Sequence, residues 1–332
     1  MSPRRNRLGR SPVRVSELGF GAAGIGNLFT PVTDEQAEQA VSAAWDAGVR
    51  YFDTAPHYGL GLSERRLGDV LRGVPCHEFT LSTKVGRILE PAPFSGGDDL
   101  ADGFAVPATH RRRWDFSADG VRRSIEESLD RLGLDRIDIA YLHDPDDHAQ
   151  QALDEAYPEL ERLRAEGVLG AIGVGMNQAE LLTRFVRDTD IDAVLLAGRY
   201  SLLDQRGLAE LLPLAEQRGV GVVVGGVFNS GLLADPHPGA TFDYAAAPDE
   251  ILQRALQLKA VCERYGVPLR AAALRFPFGH PAVASVLVGT RSAAEVRDAA
   301  AMLDHRIPDE LWAELKDRGL LPADVPTPRE AG

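Results

Sequence analysis

A single closed (β/α)8 barrel, an α/β TIM-barrel architecture, is expected of these 332 residues on three grounds. Eight short runs are apolar almost throughout, not alternating, as strands buried on both faces are. Segments of helical periodicity with recognisable start signals separate them, which implies a parallel sheet. The length suits one barrel, and eight strands close one. No sequence period repeats, so a solenoid is excluded. One domain is expected over 1–332, with its core at about 13–318 and flexible tails at both ends.

The first strand falls at ELGFG (17–21), and residues 33–36 then form a capping box that opens a helix. Strands follow at VRYFD (49–53) and FTLSTK (79–84). Ser117 should cap a helix on which Val121, Ile125, Leu129 and Leu132 share a face. IDIAYLH (137–143) and GAIGVG (170–175) come next, with a capping-type start at 177–180. DAVLLA (192–197), GVVVG (221–225) and ASVLVG (284–289) complete the eight, and 292–295 caps a further helix. Two long loops interrupt the pattern, at 88–116 after the third strand and at 228–248 after the seventh. Loops of that length in a compact domain are functional or unstructured, and in a barrel both lie on the catalytic face.

Composition narrows the partners. A formal charge of −13 disfavours nucleic acid and anionic membranes. No stretch of about 20 apolar residues could span a bilayer. The basic start MSPRRNRLGR has no apolar run behind it and reads as a solvated, frayed end, not a secretory signal. Two cysteines, Cys76 and Cys262, argue against a disulfide framework, suit a reducing cytoplasm, and lie in no metal-ligand cluster, so no metal is expected. The run GFGAAG at 19–24 matches G-x-G-x-x-G, yet no helix opens at its third glycine. It reads instead as a glycine-rich strand end, around Gly21, open to a flat ligand.

Ionisable residues at the carboxyl ends of barrel strands face the site. Asp53 ends the second strand, Lys84 the third and His143 the fourth, and Tyr58 follows Asp53 by five residues. A phenol normally titrates near 10, and an adjacent ammonium favours its anion. Lys84 can supply that charge, and Asp53 can hold the lysine in place and protonated. Tyr58 is then a proton donor or acceptor for an alcohol or carbonyl oxygen, which His143 can orient.

FDTAPHYGLGLSERRLG, STKVG and YLHDP resemble the aldo-keto reductase superfamily, and the resemblance runs from about Val15 to Leu303. GFGAAGIGNLF, LLAGRYSLLDQ and GVPLRAAALRFPFGHPAV are similar to the aldose 1-dehydrogenases acting on L-fucose, D-threo-aldoses or L-galactose, and to pyridoxal 4-dehydrogenases. The resemblance implies NAD or NADP bound extended across the barrel. It implies Tyr58 as acid/base, Lys84 and Asp53 as its charge partners, and His143 as the orienting group. For the cofactor it points to Asn177 at the carboxamide and to Phe228, Asn229, Ser230 and Leu232 in the loop over the pyrophosphate. Gly289, Thr290, Arg291 and Ser292, at a helix start, would seat a phosphate or ribose. Glu295 stands where NADP-dependent relatives place an arginine, which favours NAD. His57, Phe94 and Trp114, with Arg111 and Arg113, are candidates for the substrate pocket. The expected reaction is oxidation of an aldose C1 hydroxyl to a lactone, or aldehyde reduction. Pyridoxal oxidation and a non-catalytic cofactor-sensing subunit are the alternatives, and a homo-oligomer is compatible with the sequence.

Overall fold

Eight parallel strands close into a ring in the computed structural model, which describes residues 4–93, 96–243 and 245–329. They are β1 (Leu18–Gly21), β2 (Tyr51–Asp53), β3 (Thr80–Val85), β4 (Ile139–His143), β5 (Ala171–Met176), β6 (Ala193–Ala197), β7 (Gly221–Gly225) and β8 (Val283–Gly289). Chain order is ring order, and β8 pairs with β1. Every expected strand is present, with its ends within two residues of those expected. Register sets Gly21 beside Asp53, Asp53 beside Ser82, Lys84 beside Tyr141, and His143 beside Gly175. The polar strand ends therefore converge on one rim.

Local chemistry explains the helices between them. Thr33 accepts from the Gln36 N–H while the Gln36 side chain accepts from the Thr33 N–H, so the helix Asp34–Asp46 starts where the sequence places it. Ser117 caps the helix Ala118–Leu132, which stops at left-handed Gly133. The start at 177–180 departs from expectation. Gln178 occupies the cap of the helix Ala179–Asp188 and makes no side-chain capping bond, so Asn177 is not spent on the helix. The start at 292–295 is half a capping box. Ser292 accepts from the Glu295 N–H, but the Glu295 carboxylate turns to the Arg291 N–H.

Both tails correct the expectation of flexible ends. The basic start pairs Arg5–Arg7 with Arg14–Ser16 as an antiparallel hairpin. Between them Leu8 is fully buried under the barrel floor, in one cluster with Val15, Tyr51 and Tyr141. Gly9 makes this possible, because a Cβ there would sit 2.5 Å from the Gly221 nitrogen. At the other end Leu320, Leu321 and Val325 are buried in the main core.

The long loop expected after β3 is present, and it is a folded lobe. Arg87–Pro91 pairs antiparallel with His110–Trp114, and Asp98–Asp99 with Phe104–Pro107. Leu60, Leu89, Phe104 and Val106 give it a small core of its own, against which Leu28 and Tyr58 pack. Among the described residues no helix is long and apolar enough to cross a membrane.

Candidate active site

Asp53, Lys84 and His143 are nearly inaccessible at the carboxyl rim, and Tyr58 leans over them from the loop after β2. The Lys84 ammonium donates to Asp53 Oδ2 at 2.6 Å and to the Thr54 carbonyl at 3.0 Å. It also lies 4.6 Å from the centre of the Tyr58 ring. The His143 ring meets that ring edge-on, with centroids 5.8 Å apart. The four sequence-derived candidates thus form one cluster.

Its electrostatics differ from expectation in one respect. Burial pushes the Tyr58 phenol above its ordinary value, and Lys84 pulls it down only in part. The nearby cation alone would make the phenol acidic, as expected from the sequence, but the low-dielectric surroundings outweigh it. Burial works against the Lys84 charge, but Asp53 and Tyr58 outweigh it and hold the ammonium above its usual range. His143 is pushed well below the ordinary imidazole range by burial and by Arg87 and Lys84, so it is neutral near pH 7. His57 falls to about 2 through burial and then Arg87 and Arg112. At neutral pH the cluster holds a charged Lys84, a neutral phenol and two neutral imidazoles.

A cavity of about 700 Å³ opens from this cluster. Asp53 and Tyr58 line one end, and Glu295 and Asp298 the other. Gly21, Phe228, Asn229, Ser230, Gly289, Thr290 and Arg291 line it between them. Ala197 and Gly225, neighbours across β6 and β7, also line its wall. Ser292 is at the helix cap beside the cavity, and Asn177 lies one residue past β5. The Leu232 side chain is fully buried in the main core. Phe94 lies outside the described residues.

The residues present fit a dinucleotide. The Thr290 hydroxyl is buried on the cavity wall with no hydrogen-bond partner. Beside it a Cβ on Gly289 would meet nothing within 4 Å, so that backbone is open to a ligand. The far end is ionic. Arg270 pairs with both Asp298 oxygens at 2.9 Å, and Arg291 reaches Glu295 at 3.3 Å and the Thr30 hydroxyl at 2.8 Å.

The lobe flanks the cluster on the side of His57. His57 stands edge-on to Phe104 at 5.1 Å and to His143 at 5.7 Å, and its Nδ1 has no partner. Trp114 stacks on Phe116 at 6.0 Å and covers the Arg87 guanidinium at 4.3 Å. Arg111 and Arg113 are both engaged by Glu90. Sequence reasoning missed Arg112, which forms a two-pronged pair with Asp99 and donates to the His57 carbonyl at 3.0 Å. The signal was available, since alternation along HRRRW sets Arg112 on the opposite face from its two arginine neighbours. Asp144 was missed too. It follows His143, pairs with Arg87, and lies 3.6 Å from His143 Nε2.

Comparison with known proteins agrees with this geometry. Residues 17–318 match the aldo/keto reductase family. The chain is 48% identical over 313 residues to a D-threo-aldose 1-dehydrogenase of Pseudomonas sp, covering 93% of this chain and 95% of that protein. It is 42% identical to a pyridoxal 4-dehydrogenase of Microbacterium luteolum, covering 96% and 98%. The holo form of an aldo-keto reductase from Bacillus halodurans superposes with a TM-score of 0.75 at 27% identity, covering 97% and 98% of the two chains. A closed barrel, a buried lysine–aspartate pair beside a tyrosine and a histidine, and these likenesses together establish that the chain belongs to the aldo/keto reductase family and is an NAD(P)-dependent oxidoreductase.

Proposed function

We propose that the enzyme oxidises the anomeric hydroxyl of an unphosphorylated aldose to a lactone, using NAD. The observation that carries this reading is the Lys84–Asp53 pair, buried beside Tyr58 and His143 at the mouth of a dinucleotide-sized cavity. A nicotinamide held in the cavity would supply the hydride chemistry. The chain's own residues handle the proton. Tyr58 accepts the hydroxyl proton, Lys84 stabilises the phenolate that does so, and Asp53 keeps Lys84 charged. Neutral His143 retains a ring N–H to hold the substrate oxygen. His57, with an unpartnered Nδ1 beside it, adds an acceptor for a sugar hydroxyl. In reverse, the neutral phenol protonates a carbonyl.

The lobe's cations support an uncharged substrate. Arg87, Arg111, Arg112 and Arg113 are each paired with a carboxylate, and a phosphorylated sugar would have to break such pairs. The carboxylates of Glu295 and Asp298 at the far end of the cavity support NAD, since they accept from ribose hydroxyls and repel a 2′-phosphate. Asn177, free of capping duty, is suited to grip the carboxamide. The scarcity of cysteine supports a reducing compartment such as the cytoplasm.

The test follows reduced nicotinamide while aldoses, their phosphates, pyridoxal and simple aldehydes are offered with NAD or NADP. The expected result is turnover of a free aldose, with kcat/KM for NAD above that for NADP by about tenfold or more, and collapse of kcat by about a thousandfold in Tyr58→Phe with cofactor affinity kept. Because a phenol above its ordinary range must lose its proton first, oxidation should speed up with rising pH and reduction should slow. Preference for pyridoxal or a phosphosugar overturns the substrate assignment.

A further inference from the structure

A second layer of polar groups lies below the catalytic rim, and the mechanism above does not use it. Side chains two residues apart on a strand face the same way. Asp53 therefore stands above Tyr51, Lys84 above Ser82 and His143 above Tyr141. All three lower residues are fully buried. Ser82 Oγ lies 2.6 Å from Asp53 Oδ1 and 3.1 Å from the Tyr51 hydroxyl, which lies 3.4 Å from the Tyr141 hydroxyl.

Ser82 joins this layer to the rim. The carboxylate of Asp53 pairs with the Lys84 ammonium through Oδ2, which leaves Oδ1 to Ser82. Ser82 has one proton, with Asp53 at 2.6 Å and the Tyr51 hydroxyl at 3.1 Å as acceptors, and the short bond to the ion-paired carboxylate has the stronger claim on it. Burial raises both lower phenols far above their ordinary range, so both stay protonated. One hydroxyl dipole thus points its positive end at Asp53 Oδ1, with two neutral phenols packed beneath it. Glycines make the room. A Cβ on Gly19 would come within 2.8 Å of the Tyr51 ring, and one on Gly173 within 3.0 Å of the Tyr141 ring.

We propose that Ser82, seated on the buried rings of Tyr51 and Tyr141, is a positioning residue whose hydroxyl fixes Asp53, through it Lys84, and so favours the phenolate of Tyr58. The inference rests on the reading of Tyr58 as proton acceptor. The other titratable and charged groups around the pair are His57 beside Tyr58, His143 and Asp144 from the end of β4, and Arg87 and Arg112 from the lobe; Asp192 acts on Tyr141 from below. Among the described residues only Ser82 donates a side-chain hydrogen bond to Asp53 Oδ1.

The experiment compares Ser82→Ala and Tyr51→Phe with wild type and Tyr58→Phe. Neither variant leaves a large void. In Ser82→Ala the rise of kcat with pH in the oxidation direction should shift upward by about half a pH unit or more, and in Tyr51→Phe by less. Below the midpoint kcat of Ser82→Ala falls about threefold, and above it the loss disappears. A second readout needs neither cofactor nor turnover. The chain has three lysines, Lys84, Lys259 and Lys316, so carbon-13-labelled lysine gives three resonances. That of Lys84 should move in Ser82→Ala while the other two stay in place. A rate loss equal at every pH, or a Lys84 resonance unmoved in Ser82→Ala, overturns the role of Ser82. Failure of the underlying reading looks different, for then Tyr58→Phe keeps wild-type turnover whatever Ser82→Ala does.

Discussion

Lys84 is the residue whose removal says most about the site. Its ammonium is buried against Asp53, so Lys84→Met leaves a carboxylate stranded with Ser82 as its only side-chain donor among the described residues. Such a loss costs about 3–5 kcal/mol, whereas a pair replaced together costs far less. Lys84→Met should therefore unfold at markedly lower denaturant than wild type, and Lys84→Met/Asp53→Asn should recover much of the difference. Both should be inactive. Recovery of stability without activity would separate the pair's structural part from its part in the proton step. At this scale the cluster was legible because barrel topology tells which end of a strand is chemical, and because aspartate, lysine and histidine are costly to bury without a task. The environment was less legible. Proximity of Lys84 to Tyr58 could be inferred from the sequence, but the burial that outweighs it depends on Phe104 and the lobe, which come from 46 residues further along.

Among the elements, the lobe after β3 carries the largest difference between expectation and structure. Barrel strands announce themselves by apolar runs, since both faces are buried. The lobe's strands are charged and short, and HRRRW becomes a strand only because Arg112 finds Asp99 and the His57 carbonyl on its inner side. That partner is 13 residues away in sequence and invisible to local periodicity. The basic start escaped for the same reason, as its Leu8 is buried by a barrel floor that local sequence cannot reveal. Arg112→Met tests what the lobe does. It leaves Asp99 buried and unpaired, so exchange of backbone amides over 98–107 should accelerate by about a hundredfold, consistent with a local loss of about 3 kcal/mol. Because Arg112 also holds the loop bearing His57 and Tyr58, KM for the sugar should rise more than kcat falls, and cofactor affinity should hold. Equal change in cofactor and sugar affinity would mean that the lobe does not belong to the substrate side.

Across the whole molecule, chemistry and stability sit at opposite ends of one barrel. The carboxyl rim holds a buried ion pair, neutral imidazoles and a half-buried phenol, the proposed proton-handling groups and costly ones to fold. The floor holds Leu8 and Val15 packed under Tyr51, Tyr141 and Ile139, with no exposed surface. Truncation at the floor should therefore act on stability alone. Leu8→Ala removes a fully buried side chain from a closed, poorly collapsible space, for a loss of about 2–5 kcal/mol. Measured well below the unfolding temperature, its kcat and the pH profile of oxidation should match wild type. Tyr58→Phe should show the inverse, with the folded state kept and turnover gone. The contrast is a demanding one, since Tyr51 and Tyr141 belong to the floor cluster and pack beneath Ser82, the donor to Asp53. If a cavity beneath them shifts the pH profile, then packing at the floor sets the position of Ser82. If the profile stays fixed while stability falls, Ser82 and the glycines that admit the two rings hold their place without help from below.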